Sequence, residues 1–472
     1  MLNRAHLFGV LPLVTLAACQ GSICEDVDVA LDPDVVTKVD FSWDMEGEAR
    51  IEWGYDESYG NTVDAGPGPD HEASILGAKP LSEIFFSVFN AKGNKEKVCE
   101  GVIETENTPS SIANIKLDSY DPSLASEEKF ILGAAMFEDA TLFAVDRDGD
   151  TVWYQPVDED RLVTDVRFSR AGNSVLHNSY ASRYDEDLGE IIELSLGNDL
   201  INSTRIEWGH HFFAELPDGT FAYTAIDVRE VVPDGWSINA CAKEHRGVNS
   251  DGEDTCMVVG HALIEVPPDG DPVTLTTTWD VFNYEVVPYD DWELGFYPQG
   301  HTWLHANALN YDDERQTYLW SFAGYDTFVE IDRSGNLVRS FGDFGEYKSE
   351  LVEYPAGEDG FHFQHDPNWT EDGNLLMFVY DDDNGCYAIE FEVDESAKML
   401  REVWSYGRNE RLMVLALGTA RRMANGNTSV NFGSTGVVRE VTPSGEIAWE
   451  GYTDSGTFFG STHWFSDFYT GQ

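Results

Sequence analysis

Three histidines of this 472-residue chain sit at one position of a recurring pattern. Counting back eight residues from a turn glycine gives His211 from Gly219 and His365 from Gly373. A third segment, with a longer turn that lacks glycine, begins at His305. The same offset from Gly172 and Gly426 holds Thr164 and Gly418. Three imidazoles at equivalent places in a repeat can do three kinds of chemistry. With a water they complete a catalytic zinc set. Protonated, they hold an anion. Neutral, one of them is a nucleophile. No nearby pattern supplies the carboxylate or further ligand that would favour the first, so neither a metal nor a cofactor is expected.

Residues so far apart in sequence meet only if the repeat brings them to one axis. The unit is an apolar strand, a polar turn with Asp or Gly, and a second strand often ending in Trp. Six copies occur, at 142–153, 190–208, 262–279, 328–341, 388–404 and 437–449. Before five of them lies another strand–turn–strand, with turns at Gly172, Gly219, 312–315, Gly373 and Gly426. Four short strands per unit in succession are the pattern of a β-propeller. The expectation is an all-β chain with a six-bladed propeller over 129–472, whose first blade takes an inner strand from 457–469. In such a ring the inner strands line a channel, and His211, His305 and His365 converge there. The run Asp146-Arg147-Asp148-Gly149-Asp150 resembles the start of a calcium loop, but no bidentate Glu follows. It reads as a turn.

Residues 19–108 read as a small β-sandwich and 109–128 as a linker. Strand-like runs near 36–43, 49–53 and 84–89 are separated by Asp-Met-Glu-Gly and Gly-Pro-Gly-Pro turns. The stretch Ala49-Arg50-Ile51-Glu52-Trp53-Gly54-Tyr55, then Ser58-Tyr59-Gly60, resembles fibronectin type III-like domains. Cys24 and Cys99 bracket this domain, and Cys241 and Cys256 bracket an insertion, so each pair is a candidate disulfide. Cys386 is left over as a buried thiol.

Residues 1–18 carry one basic residue, Arg4, and an apolar run too short to span a bilayer, as a signal peptide does. The run ends in Leu16-Ala17-Ala18-Cys19, which resembles a bacterial lipobox. That resemblance implies cleavage before Cys19, lipidation of its thiol, and an exported lipoprotein of the cell envelope. Gln20 favours the outer membrane over the inner. With 29 basic and 86 acidic residues the net charge is −57, which excludes nucleic acid and electrostatic docking on anionic lipid as partners. Oligomeric state is not legible.

Further blocks sit around the histidines: Gly209-His210-His211 with Leu216-Pro217-Asp218-Gly219, Leu304-His305-Ala306-Asn307-Ala308, Tyr311-Asp312-Asp313, Ile331-Asp332-Arg333-Ser334-Gly335, Phe363-Gln364-His365-Asp366 and Asn425-Gly426-Asn427. In this order they resemble the bacterial arylsulfotransferase family. The resemblance implies transfer of a sulfuryl group from a phenolic sulfate ester to a phenol, through a sulfohistidine and without a nucleotide donor. It places the nucleophile on His365, its helpers on His211 and His305, and a substrate contact on Asn307. The family's Arg is missing from Ser321-Phe322-Ala323-Gly324. Arg421 and Arg422 are the candidate replacements. The competing reading is a lipid-anchored propeller that binds a ligand or protein without catalysis. The neighbouring histidines carry less: His210 is expected on the opposite strand face, and His261 shows no signal.

Overall fold

The computed structural model describes residues 24–91, 96–112, 115–136, 140–158, 160–234, 237–282, 297–342, 345–350, 361–380, 385–408, 410, 412–453 and 457–469. Cys19 and the expected signal peptide lie outside the described residues. The chain divides into two compact units, Met1–Asn107 and Thr108–Gln472.

The first unit is a single antiparallel sheet built round the long strand Val39–Gly54. One edge of that strand pairs with Asn61–Ile75. The other pairs first with Asp28–Leu31 and then with Glu83–Ala91, which Glu96–Glu104 flanks in turn. The rings of Phe41 and Phe86 meet at 5.0 Å, although Phe86 pairs with Trp53 at the far end of the strand. A straight strand would hold Phe41 and Trp53 about 40 Å apart. The sheet therefore doubles over on itself, with a register shift between Asp44 and Gly47. The two layers expected of a sandwich are the two halves of this one sheet, closed over Phe41, Trp43, Ile51, Phe86 and Val88. A disulfide joins Cys24 to Cys99.

The second unit is nearly all β with a propeller architecture; its described residues form six sheets, antiparallel apart from the short strands His301–Thr302 and Lys348–Glu350, which add in parallel to two of them. Their inner strands are Val166–Phe168, Gly209–Glu215, Ala306–Asp312, His365–Trp369, Thr419–Arg422 and Phe458–Phe465. Polar side chains and backbone groups tie one inner edge to the next. Thr164 Oγ1 donates to the His211 carbonyl at 3.0 Å, Asn307 Nδ2 to the Gln364 carbonyl at 2.7 Å, and Asn368 Nδ2 to the Ala420 carbonyl at 3.0 Å. Asn431 Nδ2 reaches the Gly460 carbonyl, and the Ser461 N–H reaches the Thr164 carbonyl at 2.8 Å. These links satisfy buried carbonyls where the sheets converge.

Two pairings stitch the ends of this unit together. Phe458–Phe465 supplies the inner strand beside Phe130–Met136. Ile115–Tyr120 pairs with Ile447–Thr453 as an outer strand. This corrects the linker reading of 109–128: although polar, the segment completes the last sheet, because an outer edge needs one buried face only. The repeated Trp also gains a reason. The indole N–H groups of Trp153, Trp404 and Trp449 donate to the carbonyls of Leu196, Pro443 and Arg147, each in a turn of the next sheet, at 3.0, 3.1 and 3.0 Å. Asp146 Oδ1 accepts the N–H groups of Asp148 and Asp150, which makes 146–150 a hydrogen-bonded turn. The second disulfide joins Cys241 to Cys256, and Cys386 is a buried thiol outside both disulfides whose sulfur accepts the Val414 N–H at 3.4 Å.

Candidate functional site

Every inner strand bearing a site histidine is irregular at that point. Register slips between His210 and Phe213, between Ala306 and Ala308, and between His365 and Asn368. His211 and His305 hold left-handed backbones, φ +56° and +51°, and Asp366 does so at +55°. Non-glycine residues pay for such geometry, so it persists where the surroundings enforce it. A bulge inserts an extra residue and re-aims side chains. That is why His210 does not face away from His211, as strand alternation implied. Instead His210 Nδ1 lies 2.7 Å from His211 Nδ1.

The three site histidines are all buried and cluster together. The His211 and His305 rings meet edge to face at 5.2 Å. His365 lies close enough to lower the proton affinity of His211, and His305 does the same to His365. Phe212 packs against His365 at 5.2 Å. Both ring nitrogens of His365 are buried and neither makes a well-formed hydrogen bond, although the Gly418 backbone lies near enough to pull its proton affinity up. Burial pushes His365 down to about 3 and His305 down to about 4. It drives His211 well below the ordinary imidazole value, helped by His210, His305 and His365. The site is therefore neutral at pH 7. The protonated histidines considered as anion holders are not what the geometry supplies, because burial penalises each charge.

Asn307 anchors the peptide in front of the nucleophile candidate through Gln364, and its own Oδ1 is buried without a partner. Gln364 Nε2 in turn donates to Ser321 Oγ at 2.9 Å and to the Thr327 carbonyl at 2.8 Å. The Ala323 N–H donates to the His305 carbonyl at 3.1 Å. The segment without the expected Arg thus braces both histidines through backbone and hydroxyl groups.

The two arginines part company. Arg421 reaches inward, donating to Asp366 Oδ1 at 2.5 Å and Asn310 Oδ1 at 2.9 Å. Burial pushes the Asp366 carboxyl up to about 6 against the pull of Arg421. Arg422, the next residue, points to the opposite face, where it pairs with Glu390, donates to Thr428 Oγ1 at 2.6 Å and covers Trp404. This corrects its assignment to the substrate: strand alternation alone separates it from Arg421. A cavity of about 170 Å³, lined by Arg167, Arg170, Asn310, Asn368, Trp369 and Arg421 among others, opens at the turn end of these strands. That end is roughly 10 Å along the strands from the histidines.

Sequence reasoning missed the surroundings of His211. Tyr184 and Tyr180 lie over its ring at 6.1 and 6.4 Å. Tyr297 packs on His210, His261 and His305 at 5.7–5.8 Å. Burial raises the hydroxyl pKa of both Tyr180 and Tyr184, keeping them neutral donors. These tyrosines join Met136, Leu162, Val259 and Leu417 in one apolar cluster drawn from several sheets. His261 belongs to the site as well, fully buried against His210. No offset pattern marks it, because it stands on the third strand of its sheet. Among the described residues, the group of potential ligand atoms converging within 4.8 Å is Asp146, Asp148 and Asp150, the turn already described, and not the three histidines.

The arylsulfotransferase (ASST) family model matches residues 118–457, and the chain belongs to that family. No curated protein matches it. Among solved structures it is similar to a Bacteroides caccae protein of unknown function, at 13% identity over 71% of this chain and 98% of that one, with a TM-score of 0.43. It is also similar to the periplasmic gluconolactonase of Pseudomonas aeruginosa, at 12% identity over 70% and 99%, TM-score 0.37. A streptogramin B lyase matches at 12% identity over 73% and 88%, TM-score 0.37.

Proposed function

We propose that this member of the arylsulfotransferase family moves a sulfuryl group from a phenolic sulfate ester to a phenol through His365. The observation that carries the reading is a buried imidazole without a well-formed hydrogen bond, set among other histidines where the sheets converge. A neutral ring has the lone pair that attack on sulfur requires. In the first half, a bond forms between the His365 nitrogen and sulfur. The sulfur–aryl oxygen bond breaks, and the phenolate leaves with its electron pair. In the second half, the acceptor oxygen attacks sulfur, the nitrogen–sulfur bond breaks, and the acceptor's proton passes to the first phenolate through solvent. Tyr180, Tyr184, Met136 and Leu417 offer apolar contact for an aromatic ring.

Arg421 reaches the Asp366–Asn310 pair and acts on His365 only through space, so its role is to fix Asp366, the residue after the nucleophile. Cys19, by its lipobox, would tether the exported protein to the outer membrane. The test is incubation with a chromogenic aryl sulfate followed by peptide mass spectrometry. A sulfated peptide containing His365, and loss of transfer by about 10⁴-fold in His365→Ala, are expected. No adduct, with wild-type transfer by His365→Ala, would leave the non-catalytic binding reading.

A further inference from the structure

The junction between the inner strands Gly209–Glu215 and Ala306–Asp312 differs from the others. Elsewhere Asn, Thr or backbone groups bridge neighbouring inner edges to a carbonyl. Here a file of imidazoles makes the bridge, and it ends on a backbone N–H instead of a carbonyl. The Ala306 backbone N–H donates to His261 Nε2 at 3.2 Å. His261 Nδ1 lies 3.2 Å from His210 Nε2, and His210 Nδ1 lies 2.7 Å from His211 Nδ1.

A peptide N–H can only donate, and that fact fixes every proton along the file. His261 Nε2 must be the acceptor, so in the neutral ring the proton sits on Nδ1. That proton points at His210 Nε2, which must accept, so His210 carries its own proton on Nδ1. That one points at His211 Nδ1. His211 is then left with its proton on Nε2. All three rings are buried, and burial together with their neighbours disfavours a second proton on any of them. His211 Nε2 makes no hydrogen bond with the described residues, so its N–H is free for a bound group. The His211 ring packs against His305 and stands close to His365.

We propose that His261 and His210 are positioning residues that lock His211 as a neutral Nε2–H donor facing the space it shares with His305 and His365. Its use on a sulfuryl oxygen rests on the sulfotransfer reading; the lock itself does not. The lock matters because a free imidazole exchanges its tautomer, and a flipped His211 would present a lone pair to an anion.

Neutron diffraction from crystals exchanged into D₂O reads the tautomers without substrate or variant. Deuterium is expected on His261 Nδ1, His210 Nδ1 and His211 Nε2. Deuterium on His211 Nδ1 or on His261 Nε2 would overturn the lock. A kinetic pair gives the second readout. In His261→Gln the side-chain carbonyl can accept the Ala306 N–H while the amide donates to His210, so kcat should stay within about threefold of wild type. In His261→Leu the file is cut, and kcat should fall about tenfold or more with KM little changed. Wild-type kcat in a folded His261→Leu protein would overturn the functional use of the lock. The expected deuterium pattern without any turnover of aryl sulfate would sink the sulfotransfer reading and leave the lock standing.

Discussion

Acidification separates a buried nucleophile from an ordinary histidine. An imidazole of ordinary affinity, near 6.5, is about 97% protonated at pH 5 and would lose about 30-fold in rate from pH 8. His365 is held down to about 3 by burial. Such a ring stays about 99% neutral at pH 5, so its nucleophilic fraction barely changes. The expected outcome is a kcat/KM for a chromogenic aryl sulfate that is flat, within twofold or so, between pH 8 and 5. Stability moves the other way and must be watched. Below about 6.5 the unfolded chain takes up protons that buried His177, His305 and His365 refuse, so each lowers the unfolding free energy by about 1.4 kcal/mol per pH unit. That loss runs from near 6.5 down to the folded values of about 4, 4 and 3. Rates should therefore be read alongside far-UV circular dichroism at each pH. Asp366 titrates near 6 beside it, so a tenfold fall centred near 6.5 that persists in Asp366→Asn, with the fold intact, would refute a nucleophile kept neutral by burial.

Arg421→Gln should lower the urea unfolding free energy by about 3 kcal/mol at pH 8, because Asp366 is buried and would lose its cation. The deficit should shrink below about 6, where burial lets Asp366 take up a proton. Arg422→Gln, on the other face, should leave transfer within about twofold, and a larger loss would return Arg422 to the site. The KM for an aryl sulfate should fall as salt rises, since the field of a −57 chain opposes an anion and the screening length drops from about 30 Å at 0.01 M to about 3 Å at 1 M. A KM that climbs with salt would point to a cationic site. On the proposed lipid anchor, Cys19→Ser should shift the protein from the membrane fraction to the soluble one; unchanged fractionation would count against the anchor.

The repeat was readable because each strand pair carries its own turn chemistry and its Trp, and those are local. The offset of His211, His305 and His365 was readable for the same reason. What sequence reasoning lost depends on backbone irregularity or on partners far away in the chain. Alternation places His210 opposite His211, yet the bulge between His210 and Phe213 brings both to one side. His261 reaches the site through pairing with Ile226, a register that no turn spacing encodes. The polar segment at 115–120 looked like a linker because an outermost strand needs little apolar surface, and only its pairing with 447–453 reveals it. Arg421 and Arg422 were both assigned to substrate because a doublet of like residues hides which one faces inward.

On the proposed sulfotransfer, the absence of a cation in 321–324 raises the question of what would stabilise the sulfuryl oxygens. Two guanidinium groups on the inner strands, those of Arg421 and Arg167, are already engaged with the buried carboxylates of Asp366 and Asp165. Arg167 and its neighbours hold Asp165 ionised, well below the carboxylate range, although burial opposes them. A guanidinium matched by a carboxylate presents little net field to an incoming anion. A fixed dipole remains in the His211 N–H. In a site that excludes water such dipoles act without reorganising during transfer, and are worth far more than in solvent. Burial also keeps the His365 lone pair available. On that reading, burial removes the charge that a cationic clamp would supply and, by the same step, keeps the His365 imidazole neutral in a medium where a neutral donor suffices.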